Sequence, residues 1–448
     1  MFTVNEITAA VGGQLFGNGD VTVTGVSTDT RTIQNGDLYV AVKGERFDGN
    51  DFIMQAIDNG AAAVLSDRKE GAESYSVPVI LAEESRAAQL ALARYHRNRF
   101  DLKLCGVTGS VGKTSTKDMI YAVLSAGCKT LKTEGNFNND IGLPKTLFRL
   151  DESHGAAVIE MGMSDLGEIS VLSKAACPDC AVITNIGYCH IENLKTRENI
   201  LKAKLEILDG AKPNAPLIVC GDDEYLSGVS LDERKVIRYG LSEVCDVRAE
   251  DILHLEDGES FTLIDGEMSY KAAVPVSGEH HVLNALAAYC VGKAFGMSAE
   301  DIIPAFMNYE ASGMRQKTVK QDGVTYILDC YNASPTSMKS SLSVLGGMKS
   351  DGRKIAVLGD MLELGTMSGE LHASVAEYVT ENAQVCFLYG AEMGECAKSL
   401  AAKGFEVYHS TDKGIISAQL KEYIRNGDAV LFKGSRGMRM EEIFDNIK

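Results

Sequence analysis

Short apolar runs alternate with amphipathic stretches through the middle of the chain. Runs of four to six mainly apolar residues occur at 102–107, 156–161, 181–185 and 217–220. Runs of this length, separated by helical stretches, are typical of buried strands in a parallel sheet whose connections are helices. The central region is therefore predicted to be an α/β unit.

The pattern changes on either side of this region. Residues 1–100 carry short apolar segments with many turns. After residue 240, short alternating segments with Asp-Gly pairs at 257–258 and 265–266 predict β-hairpins. Helices are predicted at 84–100, 281–295 and 299–307. Further apolar runs, again with helical stretches between them, predict strands of a second α/β unit at 326–328, 355–358, 385–388 and 429–432.

A chain of 448 residues is too long for one core, because domains usually contain about 100–200 residues. We expect three domains, at 1–100, 101–311 and 312–448. The predicted fold class is α/β. It combines a small N-terminal α/β domain, a central parallel-sheet domain of the phosphate-loop type with a small antiparallel part, and a C-terminal Rossmann-like domain.

Composition limits the partners and the compartment. The formal net charge of −18 argues against nucleic-acid binding, which needs a basic surface. The 11 cysteines are scattered, and the single CxxC pair, Cys177 and Cys180, lacks the second pair that a zinc site would need. The start of the chain does not resemble a secretory signal, and no apolar run approaches the roughly 20 residues that span a bilayer. We expect a cytoplasmic monomer with reduced thiols and no membrane insertion.

The segment "TGSVGKTS" at 108–115 lies between a predicted strand and a predicted helix. It departs from the common GxxxxGK[ST] pattern, because the position five before Gly112 is Val107. The shorter loop still offers backbone N–H groups and a helix N-terminus to phosphate oxygens. Lys113 would neutralise phosphate charge and Thr114 would offer a hydroxyl to Mg²⁺; the alternative is a glycine-rich turn with an exposed lysine.

Polar residues follow several predicted strands. Glu160 ends one strand and His190 lies just past the next, and adjacent parallel strands would bring both to one edge. A carboxylate and an imidazole there could hold Mg²⁺, with substrate phosphates completing its shell. The alternatives are a solvated Glu and a hydrogen-bonded loop His. Asp329, Asp360 and Ser435 occupy similar strand-end positions in the third region.

Two further polar residues lie in predicted helices. Lys202 and Lys204 cannot share a face, since residues two apart on a helix point apart, and composition alone makes either an exposed lysine. Asn284 lies among alanines and leucines, where a polar amide needs a partner. Packing of a satisfied Asn in the core is the simplest interpretation of that position.

Nine stretches in order resemble the Mur ligase family of ATP-dependent enzymes, which form amide bonds in peptidoglycan precursor synthesis. They are "TGSVGKTSTKD", "TEGNFNNDIGLPKTL", "EMGMSDLGEI", "TNIGYCHI", "AKLEIL", "GEHHVLNALAA", "LDCYNASPTSM", "LGDMLELG" and "FKGSRGMRME". "GNFNN", "EMGM" and "YNASP" are similar to the branch of the family that adds a dipeptide. The resemblance covers essentially the whole chain and implies ATP, UDP-N-acetylmuramoyl-tripeptide and D-alanyl-D-alanine as substrates, with an acyl phosphate between them.

The resemblance also implies roles for individual residues. Lys113, Lys204, His190 and Arg315 would be catalytic. Thr114, Glu160, His190 and Lys204 would be ligands of two Mg²⁺ ions, with Lys204 carried as a carbamate. ATP would be bound by Gly109, Ser110, Val111, Gly112, Lys113, Thr114, Ser115, Asn284, Arg315, Asp329, Tyr331 and Asn332. The sugar-peptide substrate would be contacted by Ser27, Asp29, Arg31, Lys43, Asp48, Asn136, Asn138 and Asn139.

Two rival functions remain. A sister ligase of the family would share the phosphate loop, although folate polyglutamate synthases carry it near the start of the chain, whereas about 100 residues precede it here. A phosphate-loop ATPase switch without ligase activity would explain the loop and the acidic residues. It would not explain two α/β units around one nucleotide site.

Overall fold

A computed structural model describes residues 2–44, 46–255, 257–313 and 315–448. The chain forms three α/β domains, each around its own sheet. Within the described part of the chain, no helix is both long and apolar enough to cross a membrane. All eleven cysteines are free thiols.

The first domain has a five-stranded sheet with strand order β2-β7-β6-β5-β4, and a separate antiparallel pair of β1 and β3. Its helix α3 begins where the side chain of Glu84 accepts hydrogen bonds from two backbone N–H groups of the first turn. In chain order the elements are β1 (Phe2–Thr3), α1 (Val4–Val11), β2 (Gln14–Phe16), β3 (Thr22–Val23), β4 (Val26–Ser27), β5 (Leu38–Val40), α2 (Ile53–Asp58), β6 (Ala63–Ser66), β7 (Val79–Leu81) and α3 (Ser85–Arg97).

The central domain carries the predicted parallel strands and the helices between them. Its strands are β8 (Lys103–Thr108), β9 (Thr130–Lys132), β10 (Ala156–Glu160), β11 (Cys180–Ile183), β12 (Leu217–Cys220), β13 (Val236–Gly240), β14 (Val247–Leu255), β15 (Gly258–Asp265) and β16 (Met268–Val274). Its helices are α4 (Lys113–Ser125), α5 (Gly142–Leu147), α6 (Glu168–Ala176), α7 (Ile191–Leu194), α8 (Arg197–Leu205), α9 (Glu279–Ala294) and α10 (Ala299–Ala305).

The nine central strands form one sheet, in the order β16-β15-β14-β13-β12-β11-β8-β10-β9. The strands from β14 to β9 are parallel, while β14, β15 and β16 pair antiparallel as the two predicted hairpins. Strands β8, β10, β11 and β12 are buried on both faces apart from Lys103, which explains why they read as continuous apolar runs. The main hydrophobic core of the molecule lies on the two faces of this sheet.

One topological prediction was wrong. The strands that precede Glu160 and His190, β10 and β11, are not adjacent, because β8 lies between them and pairs with both. The chain runs from β8 outward to β9, returns to β10 beside β8, and then crosses to β11 on the other side. The direction of such a crossover depends on helix packing and is not encoded in the apolar runs. The strand order therefore reverses at β8, and ligands of open α/β sheets bind at such a reversal.

The third domain has a six-stranded sheet in the order β17-β18-β22-β19-β20-β21, of which only β17 is antiparallel to its neighbour. Hydrophobic clusters cover both of its faces. The elements are β17 (Lys317–Gln321), β18 (Val324–Asp329), α11 (Pro335–Gly347), β19 (Lys354–Gly359), α12 (Ser368–Asn382), β20 (Val385–Tyr389), α13 (Met393–Ala402), β21 (Glu406–Ser410), α14 (Lys413–Tyr423), β22 (Ala429–Lys433) and α15 (Glu441–Ile447).

Candidate active site

A cleft of about 780 Å³ lies between the central and third domains. It is lined by the start of α4, the ends of several central strands and the first turns of α11. The predicted residues on its wall are Ser110, Val111, Gly112, Lys113, Thr114, Ser115, Asn136, Asn138, Asn139, Glu160, His190, Asn284, Arg315, Asp329, Tyr331 and Asn332. Most of the residues predicted from scattered motifs therefore face one cavity.

The phosphate loop connects β8 to α4 in a conformation that requires glycine. Gly112, immediately before α4, has φ +82, and Gly109 has φ +148. A Cβ on Gly109 would lie only 1.8 Å from the side-chain oxygen of Thr184. That threonine donates to the carbonyl of Val111 (2.6 Å), and the Val111 N–H donates to Asn185 Oδ1 (2.9 Å). The loop is thus fixed by residues just past β11.

Sequence reasoning missed Thr184 and Asn185. The motif "TNIGYCHI" contains both, but only its histidine was singled out. Their role depends on β11 lying beside β8, which the residue pattern does not reveal.

Lys113 is not the freely exposed lysine of the alternative interpretation. Its Nζ donates hydrogen bonds to the carbonyl oxygens of Gly109 (2.8 Å) and Ser110 (3.3 Å). The ammonium group is therefore held over the loop, at the N-terminus of α4. A helix N-terminus and a lysine ammonium together make a strongly anion-attracting position.

Glu160 is held by donors from two other segments. Its side chain accepts from Thr114 Oγ1 (2.7 Å) and from Asn138 Nδ2 (2.9 Å), one on each carboxyl oxygen. Glu160 is only 2 % exposed, so these hydrogen bonds compensate for the burial of the carboxyl group. The structure thus places Asn138, predicted to be on the substrate side, in direct contact with a predicted metal ligand.

These donor groups fit a hard cation. A hydroxyl and a carboxylate are oxygen ligands of the kind that Mg²⁺ prefers, and Mg²⁺ commonly takes few protein ligands together with substrate phosphates. Within the described residues there is no group of three or more His, Cys, Asp or Glu side chains that could hold a metal. A cation between Thr114 and Glu160 would therefore depend on phosphate oxygens for much of its shell.

His190 is placed by the short helix α7 and by a neighbour from the third domain. It lies immediately before α7 with φ +63, an uncommon conformation for a non-glycine residue. Its Nδ1 lies 2.6 Å from Glu363 Oε2. His190 and Glu160 share the cleft wall, but from opposite sides of β8 rather than from adjacent strands.

The burial of Lys204 contradicts its interpretation as an exposed lysine. It is 2 % exposed, while Lys202 two positions earlier is exposed, as their opposite helix faces require. Burial lowers the pKa of the Lys204 amine well below 10.5, and the positive charge of Lys113 lowers that pKa further. None of the residues that the structure describes forms a salt bridge with Lys204. A lowered pKa favours the neutral amine, which is the form that reacts with CO₂, and Lys204 is not among the residues that line the cleft.

The wall contributed by the third domain contains a buried ion pair that sequence reasoning missed. Lys433 Nζ lies 2.6 Å from Asp329 Oδ2 and also donates to the carbonyl of Asn332 (3.1 Å). The Ser341 hydroxyl donates to the same Asp329 oxygen (2.6 Å). The segment from Asp329 to Asn332 is therefore pinned to the end of β22. "FKGSRG" contains Lys433, but nothing local shows that its ammonium is buried.

Arg315 and Asn284, two more residues predicted to bind ATP, each contact a neighbouring side chain. The Arg315 guanidinium stacks 3.9 Å from the ring centre of Tyr331. Asn284 accepts from Thr116 Oγ1 (2.8 Å), while its buried Nδ2 has no hydrogen-bond partner among the described residues. Core packing of a fully satisfied Asn is therefore wrong for Asn284, since one donor stays unpaired on the cleft wall.

The substrate candidates of the first domain do not line the cleft and mostly contact one another. Arg31 forms a salt bridge with Asp29 (2.7 Å), and the Ser27 hydroxyl donates to the Asp29 carbonyl (3.0 Å). Arg31 lowers the pKa of Asp29 to about 2. Lys43 and Asp48 face each other in an isolated bridge, and Asp48 also caps a 3₁₀ turn.

One contact connects this part of the first domain to the cleft. Arg86 donates to the carbonyl of Lys43 (2.8 Å) and forms a salt bridge with Asp140 (3.0 Å). Asp140 directly follows Asn139 on the cleft wall, and the Asn139 side chain accepts from the first N–H of α5 (2.9 Å). The two groups of substrate candidates are thus neighbours across the junction of two domains.

Comparison with known proteins agrees with the fold and with this arrangement. Three family models match consecutive parts of the chain: the Mur ligase family catalytic domain at 22–100, the Mur ligase middle domain at 107–292, and the Mur ligase glutamate ligase domain at 314–436. The chain belongs to the Mur ligase family.

Particular relatives span almost the whole chain. The UDP-N-acetylmuramoyl-tripeptide–D-alanyl-D-alanine ligase of Bacillus subtilis (strain 168) is 41% identical over 430 residues, which cover 95% of this chain and 93% of that protein. The crystal structure of MurF from Acinetobacter baumannii superimposes with a TM-score of 0.92 at 29% identity, covering 100% of this chain and 98% of that one. MurF ligase from Thermotoga maritima in complex with ADP gives a TM-score of 0.84 at 30% identity, covering 95% and 97%.

Proposed function

We propose that this protein is an ATP-dependent ligase that adds D-alanyl-D-alanine to UDP-N-acetylmuramoyl-tripeptide, forming the pentapeptide precursor of peptidoglycan. The observation that carries the proposal is the single cleft in which a phosphate loop, the buried Glu160 and the pinned segment after Asp329 face one another. The identity of 41% to a ligase of this name, over nearly the whole length of both chains, supports the particular substrates.

The first chemical step activates the tripeptide. Its terminal carboxylate attacks the γ-phosphorus of ATP, the bond to the β,γ-bridging oxygen breaks, and ADP leaves an acyl phosphate behind. Lys113 and the N–H groups at the start of α4 would hold the phosphates, and Arg315 would reach the γ-phosphate. The tasks of the protein here are positioning and charge stabilisation.

Divalent cations support this step in our proposal. Thr114, Glu160 and His190 would hold Mg²⁺, and Lys204, as a carbamate, would supply oxygen ligands for a second Mg²⁺. Bound there, the two cations would neutralise charge on the phosphates and the incoming carboxylate. Carbamate formation converts a neutral amine into an anion, and Lys204, buried and without an ion-pair partner among the residues that the structure describes, is suited to that change.

The second step forms the peptide bond. The free amine of D-alanyl-D-alanine attacks the acyl carbon, a tetrahedral intermediate forms, and inorganic phosphate leaves.

Asp329, Tyr331, Asn332 and Asn284 would contact the nucleoside side of ATP. The third domain would swing against the central one to deliver Arg315, as domain closure commonly completes such sites. Small-angle scattering profiles that stay identical with and without ATP and the tripeptide substrate would contradict that motion.

The first domain would bind the UDP-sugar. We place Ser27, Asp29, Arg31, Lys43 and Asp48 on that substrate, with Asn136, Asn138 and Asn139 at the junction.

The proposed domain limits are 1–100, 101–311 and 312–448. We further propose a cytoplasmic monomer without nucleic-acid partners: ATP and UDP-sugars are cytoplasmic metabolites, all eleven cysteines are free thiols, and the net charge is −18.

The deciding experiment measures phosphate release from ATP and Mg²⁺ with UDP-N-acetylmuramoyl-tripeptide, in the presence of D-alanyl-D-alanine, of D-alanine, or of neither. Release that requires the dipeptide, with a pentapeptide product found by mass spectrometry, is expected. Release with D-alanine alone would indicate a different amino-acid ligase of the family. Release without any amine would indicate an ATPase switch.

A further inference from the structure

The loop at 360–365 of the third domain contacts the metal-ligand candidate His190. Glu363, at its tip, places Oε2 2.6 Å from His190 Nδ1. A second contact reinforces the first, because the backbone N–H of Glu192 donates to the Glu363 carbonyl (3.4 Å). Gly365 lies against Glu192, where a Cβ would be in ordinary contact at 3.4 Å, and its φ of +53 favours glycine at this position.

Both partners of this contact have unusual backbone conformations. His190 has φ +63 and Glu363 has φ +64, in the left-handed region that disfavours residues other than glycine. Such residues persist where the surrounding structure fixes them, and they concentrate at functional sites. Here two of them, from different domains, meet through their side chains.

The loop that carries Glu363 is rigidly built. The N–H of Met361 donates to Nε2 of the fully buried His372 (2.9 Å), and the N–H of Leu362 donates to Ser435 Oγ (2.9 Å). Asp360 Oδ1 accepts from the N–H of Met393 (2.8 Å). The backbone of residues 360–362, just before Glu363, is therefore held by the core of the third domain, and the Glu363 carboxylate extends from it to His190.

Folding stability does not account for this arrangement. The Glu363 side chain is 60 % exposed and that of His190 is 25 % exposed, and ion pairs with so much solvent access contribute little to stability. The geometry has a direct chemical consequence instead. An ionised carboxylate can only accept, so in the neutral imidazole this contact favours the proton on Nδ1 and the lone pair on Nε2, and His190 lies on the cleft wall.

We propose that Glu363 is a positioning residue that fixes the tautomer and the ring orientation of His190, so that Nε2 is presented to the cation. A carboxylate behind a ligating histidine is a common way to orient the ring and to raise its basicity. Because Glu363 belongs to the third domain, His190 is oriented in this way only when the two domains are in this relative position. This inference rests on the proposed function for its metal.

The first test uses protein without added metal. The chain contains 8 histidines, and ¹⁵N labelling of their rings distinguishes protonated from unprotonated nitrogens. A spectrum of His190→Gln assigns the resonance by its loss. In the wild type, Nδ1 of His190 is expected to carry the proton; in Glu363→Ala, a large fraction of the Nε2–H tautomer is expected. Glu363→Gln should keep most of the wild-type tautomer, because the amide oxygen can still accept.

The second test is the Mg²⁺ dependence of dipeptide-dependent phosphate release. Glu363→Ala should raise the Mg²⁺ concentration for half-maximal rate by roughly 10- to 100-fold, with Glu363→Gln in between. Saturating Mg²⁺ should restore most of kcat. Glu370→Ala is the matched control, since Glu370 is an exposed residue of α12 that has neither a hydrogen-bond nor an ion-pair partner in the described part of the chain.

The outcomes separate the two proposals. A wild-type protein without dipeptide-dependent release would contradict the proposed function, whereas the tautomer measurement would still report on the Glu363–His190 contact. An active wild type whose Glu363→Ala variant keeps either the wild-type tautomer or the Mg²⁺ dependence of Glu370→Ala would overturn the positioning role.

Discussion

The nucleotide side of the cleft and the candidate sugar-binding segment at 27–48 are held in different ways. Around the phosphate loop, Thr114, Glu160 and Asn138 come from three separate segments and are fixed by contacts in a buried setting. In the first domain, Asp29 pairs with Arg31 two residues away, and the Arg31 side chain is 84 % exposed. The first group is assembled by the tertiary fold, whereas the Asp29–Arg31 pair is formed within a single turn.

This difference indicates two modes of substrate contact. Groups that must stabilise charge during reaction work best when they are fixed in advance and shielded from water. Groups that bind a distant part of the substrate contribute similarly to the ground state and the transition state, so they change KM more than kcat. Substitutions on the nucleotide side should therefore lower kcat, and substitutions in the segment at 27–48 should raise KM.

The largest effect is expected at Lys204. Lys204→Ala removes the only group in this helix that is both buried and suited to carry a carbamate, so kcat should fall by about 10²–10³-fold. The rate of phosphate release at saturating substrate concentrations measures this kcat. Lys202→Ala, on the exposed face of the same helix, is the control and should remain close to wild type. A Lys204→Ala enzyme with more than half of the wild-type kcat would contradict the role.

The burial of Lys204 also predicts a pH effect on stability. Its pKa is lowered well below 10.5 in the folded protein, so between the lowered pKa and 10.5 the unfolded chain holds one more proton. Stability should therefore rise with pH in this window, by up to about 1.4 kcal/mol per pH unit from this residue. Lys204→Met lacks this contribution and should be the more stable protein near neutral pH, with the difference shrinking toward pH 10.5.

Urea unfolding of both proteins at several pH values, in buffer purged of CO₂, measures that difference. Lys202→Met is the control, because Lys202 lies on the exposed face of the same helix. A Lys204→Met minus wild-type difference that does not change with pH would mean that the folded protein holds Lys204 protonated.

The sequence was most informative where chemistry is local. The loop from Gly109 to Thr114 contains its own turn, amine and hydroxyl, so its geometry could be anticipated. Glu160 could be placed at a strand end, but the strand between β10 and β11 could not, because the order of parallel strands depends on crossover packing. The burial of Lys204 could not be derived from periodicity either, since it depends on what packs against α8.

Contacts between segments far apart in the chain were the least predictable. "LGDMLELG" and "FKGSRG" contain Glu363 and Lys433, but their partners lie 173 and 104 positions earlier in the chain, at His190 and Asp329. A residue pattern does not reveal a pairing that forms only when separate elements meet. The same reason explains why Asn138 was placed with the substrate, although its amide donates to Glu160.

A middle-sized effect is expected for Asn138→Ala. The change leaves a buried Glu160 oxygen without its donor, which costs about 1–3 kcal/mol and should lower kcat at a fixed, limiting Mg²⁺ concentration by about tenfold. Asn214→Ala is the control, since Asn214 is an exposed asparagine of the central domain that is not among the residues lining the cleft. Initial rates of both variants at limiting and saturating Mg²⁺ make the comparison. If the rate of Asn138→Ala falls by the same factor at limiting and at saturating Mg²⁺, Asn138 acts on the substrate and not on Glu160.

The smallest effect is expected for Arg31→Ala. Arg31 is exposed and its ion pair with Asp29 is local, so unfolding stability should stay close to that of the wild type. If the guanidinium contacts the UDP-sugar, KM for that substrate should rise several-fold while kcat and the KM for ATP stay unchanged. Arg94→Ala, an exposed arginine on α3 of the same domain, should leave all three constants unchanged. A loss of kcat in Arg31→Ala without a change in KM would break the proposed division, because an exposed residue of the first domain would then act on the reacting groups.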